Sequence, residues 1–384
     1  MPVPSLITII FVLLLSVQLS AQEFVPSDPG RLAGFRASRI LQSYPGNQFP
    51  SAPYWGAAGK WVAGKFTSAN PAGVWIVSLY ISNGTTQMNF PSGGLSLPYV
   101  NFISVDQNET YLQHLDQQGY KIWLQVEPGA ASVDTLISIV LNRYKHHPCV
   151  TGFGVDVEWL DTHLHSGGRK VTDAEAQRWE TKVKAVNPGY TLFLKHYGQS
   201  WMPPAYRGDI LFIDDSQSFT SLNQLVNEFK SWGSKFAPNK VGFQVGYPKD
   251  SVWWNKLSDP VRDIGTPLFQ NIPNCAFVAW VDFTLTRVFP LTTVQEQNRD
   301  TDQSPLLQVY PNPANASAEI LWSTTIGQEG VVQITDILGR IVREDQIENR
   351  QGYSLDLSGF SSGTYLVRVL APGYYAIQKL IVLK

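Results

Sequence analysis

A chain of 384 residues exceeds one average domain, but it suits a single large α/β barrel with a small appendage, both long enough to bury a core. Its 29 Lys and Arg stand against 31 Asp and Glu, the signs are interspersed and no basic block occurs, which excludes nucleic acid and an anionic membrane surface as natural partners. The 12 Trp, 16 Tyr and 19 Phe are the unusual feature, and every Trp except Trp322 precedes residue 290. Rings of this kind stack on sugar faces, but most are expected to fill a core.

Residues 1–21 carry an almost wholly apolar run from Leu6 to Leu15 and read as a secretory signal cut after Ala21. The run is too short to span a bilayer, and no later segment reads as a membrane helix. A Pro- and Gly-rich lead-in from Pro26 to Gly59 follows. Strands and helices then alternate. Gly73–Tyr80 reads as a first strand and Tyr99–Val105 as a second. Asn108–Gln118 is a helix stopped by Gly119, and Tyr120–Glu127 is a third strand. The spacing predicts a helix over Ser132–His146, ended by Pro148, and a fourth strand over Val150–Trp159. Thr172–Ala185 is a helix whose Thr172 and Glu175 form a capping box. Tyr190–His196, Asp209–Asp215, Lys240–Tyr247 and Cys275–Asp282 complete the strands, with a helix over Ser221–Trp232.

Eight β runs interleaved with helices over residues 22–289 are the pattern of a (β/α)8 barrel, whose site lies at the C-terminal ends of the strands. Those ends carry Glu127, Asp156, Glu158, Lys195, His196, Asp214, Asp215, Gln244, Tyr247, Trp280 and Asp282. The fourth strand is the most informative. Alternation places Asp156 and Glu158 on one side and Val155, Val157 and Trp159 on the other, so two carboxyls share one small volume. In a partly dry pocket they cannot both ionise freely, and one becomes a proton donor near neutral pH. Capping the strand and binding water or Arg is the plainer role for such a pair. Cys149 and Cys275 begin the fourth and eighth strands, on opposite sides of a barrel, so no disulfide is expected between them.

Residues 290–305 are polar and aperiodic and read as a linker. Residues 306–384 then show short alternating strands at Val331–Thr335, Arg340–Arg343, Tyr353–Leu357, Thr364–Val369 and Gln378–Val382, with turns at Leu338-Gly339, Ser362-Gly363 and Pro372-Gly373, which suggests a small β-sandwich. This tail resembles the type A C-terminal sorting domain of the type IX secretion system. The motifs are Val309-Tyr310-Pro311-Asn312-Pro313-Ala314, Asp336 to Val342 with Gly339-Arg340, Gly363-Thr364-Tyr365 with Arg368, and the closing Gln378 to Lys384. The resemblance implies contact with that secretion machinery, passage across the outer membrane, and a secreted or cell-surface location.

Gly152-Phe153-Gly154-Val155-Asp156-Val157-Glu158 resembles the second half of the acid strand of family 18 glycoside hydrolases, the chitinase-like barrels, and Trp280 resembles the Trp that floors their sugar site. The resemblance implies Glu158 as the acid/base and Asp156 as its partner. Two further acid positions of that strand hold Thr151 and Gly154 here, and Asp214 and Asp215 stand where the family carries a Tyr.

The leading expectation is a glycoside hydrolase with catalytic Glu158, Asp156 and Glu127, the last alternatively paired with Lys195. Trp280, Tyr247, His196, Asp214, Asp215, Gln244 and Asp282 are expected to bind a glycan substrate. A catalytically silent sugar-binding barrel is the second reading, favoured by the absent acids at 151 and 154. A metal-dependent hydrolase built on His196 with these acids is the third, but no H-x-H or H-E-x-x-H spacing occurs, so no metal is expected. His146-His147, beside Pro148, reads as structural. No dinucleotide or phosphate-loop motif is present, so no organic cofactor is implied.

Overall fold

The computed structural model describes residues 30–165, 168–291, 307–326, 330–336, 340–348, 350–371 and 374–384; the expected signal segment, nearly all of the linker and the turns at 338–339 and 372–373 lie outside these. The chain divides into two compact units, Met1–Phe289 and Pro290–Lys384.

The first unit contains β1 (Leu32–Ala37), α1 (Ala52–Ala63), β2 (Asn70–Ser82), β3 (Thr85–Met88), β4 (Val100–Phe102), α2 (Glu109–Gln117), β5 (Lys121–Val126), α3 (Val133–Tyr144) and β6 (Val150–Asp156). It continues with α4 (Asp173–Val186), β7 (Thr191–Lys195), β8 (Ile210–Asp214), α5 (Leu222–Phe236), β9 (Val241–Val245), α6 (Ser251–Trp254), α7 (Pro260–Asn271), β10 (Cys275–Val281) and α8 (Asp282–Val288). The strand order β1-β10-β9-β8-β7-β6-β5-β2 is parallel throughout and closes on itself through β1 and β2, giving an eight-stranded barrel.

Two element assignments from sequence change. The first barrel strand is Leu32–Ala37, inside the supposed lead-in. The stretch around Tyr99 supplies only β4, which joins β3 as a short extension on β2 and stays outside the ring. Helices α3, α4 and α5 begin at side-chain caps from Ser132, Thr172 and Ser221, and Thr172 with Glu175 completes a capping box. Cys149 and Cys275 are both buried free thiols.

The second unit is all-β. A three-stranded antiparallel sheet orders β11 (Leu307–Tyr310), β12 (Ser317–Ile326) and β15 (Arg350–Asp356). A four-stranded one orders β14 (Ile341–Ile347), β13 (Gly330–Asp336), β16 (Gly363–Ala371) and β17 (Tyr374–Val382). Inward residues of both, among them Ile320, Trp322, Leu355, Val332, Ile334, Val367 and Leu380, form one apolar core.

Candidate active site

Alternation along the barrel strands decides which side chains enter the ring. Val74, Ile76, Trp123, Phe193, Ile213 and Ala279 pack into one interior cluster. The same parity carried to the strand ends brings Arg36, Ser78, Gln125, Asp156, Lys195 and Gln244 inward, with Glu127 and Asp215 just beyond β5 and β8. All eight residues are buried. Gly154 is required by this packing: a Cβ there would lie 2.0 Å from the Phe193 ring. An acid at position 154 is therefore incompatible with Phe193 at the centre of the barrel.

The mouth holds more negative than positive groups. Lys195 Nζ lies 2.9 Å from Asp156 Oδ2 and 2.5 Å from Asp215 Oδ2, and Gln125 Nε2 donates to Asp156 Oδ2 at 3.2 Å. Lys195 therefore pairs with these two acids and not with Glu127. Burial opposes the charge on Lys195, yet Asp156 and Asp215 outweigh it and hold the ammonium well above its ordinary pKa. Arg36 is retained as a cation in the same way by Asp282. Three carboxyls of the mouth shift upward. Burial and then the Asp156 charge push Glu127 up to about 8, with the Tyr80 amide, Lys195 and Arg36 opposing. Burial pushes Asp156 up to about 7 against the pull of Lys195, aided by Asp215 and Glu158. Glu158 is raised as well, by burial first, with Lys195 opposing and Asp215 reinforcing.

Glu158 differs from the others in being half-buried, because β6 ends at Asp156 and a single 3-10 turn, Val157–Trp159, carries Glu158 to the lip. Strict alternation thus stops one residue before the second acid, although the two still feel each other's charge. Beside them Trp159 stacks on Tyr80 with centroids 5.0 Å apart and planes at 25°, and both rings are half-buried. The Tyr80 amide donates to Glu127 Oε2 at 2.8 Å, tying this aromatic pair to the acids. Across the mouth, the Tyr247 hydroxyl lies 3.4 Å from both Asp215 Oδ2 and Gln244 Oε1. Gln125 Oε1, Asp156 Oδ1, Asp215 Oδ1 and Gln244 Nε2 are buried without a hydrogen-bond partner among the described residues. Such a concentration of unsatisfied polar atoms is rare outside sites that bind something polar.

Of the residues singled out from sequence, Glu127, Asp156, Glu158, Asp215, Gln244 and Tyr247 converge here. Asp282 enters the mouth as the partner of Arg36: it accepts from Arg36 Nη2 and the Ser38 amide at 2.7 Å each, from the Tyr44 hydroxyl at 2.9 Å, and from the Ser38 hydroxyl. Asp214, His196 and Trp280 have the opposite parity and lie in the layer between strands and helices. Asp214 accepts from the Ser216 amide at 2.8 Å, and burial keeps its carboxyl well above the usual range. His196 is fully buried, stacks on Trp201, and its Nδ1 accepts from the Gly198 amide at 2.8 Å. Trp280 is 1% exposed, donates to Thr284 at 2.8 Å and meets Trp254 edge-on, so it is not a floor of the mouth.

Arg36, Gln125 and the Tyr80–Trp159 pair were not singled out from sequence. Arg36 sits on the unrecognised first strand, and Gln125, two residues before Glu127 on the same face, was findable by alternation. Cavities of about 630 and 320 Å3 open at the opposite, N-terminal end of the barrel, among residues such as Lys240, Cys275, Trp123 and Thr191. They open at the end of the barrel away from the acids of the mouth, and the chemistry of the mouth outweighs their size. Among the described residues, the one convergence of three potential metal ligands, Glu109 with His146 and His147, also lies away from the mouth.

Residues 308–383 match the family described as the secretion system C-terminal sorting domain. The second unit is thus a type IX sorting domain, which engages that machinery and directs export through the outer membrane to a secreted or cell-surface location. No helix among the described residues is long and apolar enough to cross a membrane. Nothing among curated proteins matches the chain. Among solved structures, an endo-beta-1,4-mannanase double mutant from Cellulomonas fimi aligns at 12% identity over 92% of this chain and 94% of its own, with a TM-score of 0.37. The endo-beta-1,4-mannanase from Thermotoga petrophila aligns at 9% identity over 93% and 99%, with a TM-score of 0.35. A putative beta-galactosidase from Bacteroides fragilis aligns at 9% over 92% and 55%, with a TM-score of 0.39. Similarity of this degree carries no activity across, so the reading of the site rests on its own residues.

Proposed function

We propose that the barrel is a glycoside hydrolase acting by acid/base catalysis on a polysaccharide or glycan outside the cell. The observation that carries the reading is the surplus of acid in the mouth. Glu127, Asp156, Glu158, Asp215 and Asp282 face only Arg36 and Lys195, and three of the five carboxyls are displaced toward neutral pH. A carboxyl that burial raises above its ordinary range is what cleavage of a glycosidic bond needs from its donor. Glu158 is the donor in this reading, since its half-buried position lets a substrate oxygen reach a carboxyl that still titrates high. Asp156, fixed in place by Lys195 and Gln125, is the partner that in its ionised form faces the positive charge developing on the sugar ring. Glu127 shares the same field and supplies the second carboxyl. The Tyr80–Trp159 pair offers a flat apolar face for a sugar.

A catalytically silent glycan-binding barrel is the second reading. It is favoured by Phe193, which fills the space an acid at 154 would need, and by the commitment of both Asp156 and Asp215 to Lys195. Hydrolysis of a panel of bacterial, fungal and plant glycans, run on the protein beside Glu158→Gln, separates the two. A hydrolase loses about a hundredfold or more of its rate in the variant, because the amide keeps the shape but donates no acid proton. A glycan that is bound equally by both proteins and cleaved by neither establishes the binding module instead.

A further inference from the structure

We propose that Glu109, His146 and His147 form a binding site for a divalent transition metal of the Zn2+ class, clamping α2 to the turn that leads from α3 into β6. The site is independent of the glycan reading. β6 begins at Val150 and ends in the mouth at Asp156, so its two ends stand about 20 Å apart at 3.3 Å per residue.

The sequence brings the three ligands together through a local turn. Adjacent side chains on a continuing helix diverge, but α3 stops at Tyr144, and the His147 amide donates back to the Tyr144 carbonyl at 3.0 Å. That turn folds the two imidazoles against each other, with centroids 4.1 Å apart. Glu109, in the first turn of α2, reaches the same point: its Oε1 lies 3.3 Å from His146 Nε2 and 3.4 Å from His147 Nε2. All three ligand atoms fall within 4.8 Å of one another. Metal bonds of about 2.0–2.2 Å in a tetrahedral set place neighbouring ligand atoms roughly 3.3–3.5 Å apart, and the two separations from Glu109 match two edges of such a site.

The second observation concerns His147 itself. It is 4% exposed, and its Nδ1 lies 2.6 Å from Asp116 Oδ2. Asp116 is held in turn by the Cys149 amide, which donates to Oδ1 at 2.8 Å. A carboxylate accepts, so Nδ1 carries the hydrogen and Nε2 is the ring atom left to face Glu109. This is the outer-sphere carboxylate arrangement that orients metal-binding histidines. The Nε2 atom is buried and makes no hydrogen bond, its 3.4 Å approach to Glu109 falling outside hydrogen-bonding geometry. A metal ion between Nε2 and Glu109 Oε1 gives both atoms a partner and satisfies His146 at the same time. The side chains of His146 and Glu109 are 56% and 48% exposed, which leaves the outer positions of the ion to water.

The test uses the full chain, stripped with a chelator and titrated with Co2+ and then Zn2+. The expected result is one equivalent of Co2+ with the visible ligand-field absorption of low coordination number, displaced by Zn2+, and a melting temperature that rises with Zn2+. His146→Gln and Glu109→Gln, both at exposed side chains, should leave the fold unchanged and weaken binding by about a hundredfold. Asp116→Asn should weaken it by about 10- to 100-fold through loss of orientation. His165→Gln, in an exposed loop, should change nothing. Binding that is absent from the stripped protein, or equally strong in the His146 and Glu109 variants, overturns the proposal and leaves the cluster as a side-chain contact that joins α2 to the end of α3.

Discussion

In the barrel mouth, Arg36, Lys195, Glu127, Asp156, Asp215 and Asp282 are all less than 10% exposed, whereas the sandwich keeps its ion pairs Arg340–Asp336 and Arg343–Asp345 toward the surface over a core of aliphatic and aromatic residues. The two units come from one chain of nearly neutral charge, so composition does not explain the contrast. Removing a charge from water costs several kcal/mol even when it finds a partner, and an apolar substitute of similar volume is often the more stable choice. The sandwich, whose task is to be recognised by a secretion machine, adopts that choice. The mouth does not, and its buried charges carry that cost.

Four measurements test the contrast. Lys195→Met removes the cation shared by Asp156 and Asp215 and leaves two buried acids unmatched, so denaturant unfolding of the barrel should show a loss of about 3–5 kcal/mol. Gly154→Ala forces Phe193 aside and should cost about 1–3 kcal/mol, largely recovered when Phe193→Leu is added. The matching change in the sandwich, Gly359→Ala, meets nothing within 4 Å and should leave its stability unchanged.

The third measurement is a pH profile. Glu127 and Asp156 titrate near 8 and 7 in the folded barrel against 4.5 and 3.8 in a free chain, so between those limits the folded state holds more protons than the unfolded one. Their stabilising contribution is complete below about pH 4 and is lost as pH rises through 7 to 8, at no more than about 1.4 kcal/mol per pH unit for each group. Unfolding at pH 5 and at pH 8.5 should therefore show a more stable barrel at the lower value, and Glu127→Gln should flatten the upper part of the slope. In the sandwich the sign reverses. Asp345, held down by Arg343 and then Tyr353, contributes above its unfolded pKa and loses that contribution as pH falls. The smallest effect is expected for Arg343→Met, whose exposed ion pair is worth about 0–1 kcal/mol by the same unfolding measurement.

Much of this architecture was readable from residue order, and the parts that were not have identifiable causes. The strands from Lys121 onward are apolar runs bounded by helix caps and turns, so their positions follow from pattern alone. β1 escapes because Leu32–Ala37 contains no β-branched residue, includes Gly34 and Arg36, and is flanked by Pro- and Gly-rich segments. Ring closure identifies it, through hydrogen bonds to β2 and β10 that no local signal encodes. The rim residues were visible as a set, but which of them face inward was not. His196 follows Lys195, and Asp214 precedes Asp215. Each pair divides between the mouth and the helix layer by one step of alternation, and that step depends on where the strand pairing starts.

The bond between Arg36 and Asp282 joins positions 246 residues apart, one on the first strand of the ring and the other immediately after the last. Its consequence is temporal. A chain emerging from the ribosome cannot close until residue 282 is free to reach residue 36, so nearly the whole first unit is synthesised before either open strand edge finds its partner. Loop closure over that distance is slow, and the waiting edges are the surfaces at which incomplete sheets adhere to one another. A barrel latched at its two ends is therefore one whose last contact to form joins its first strand to its final residues.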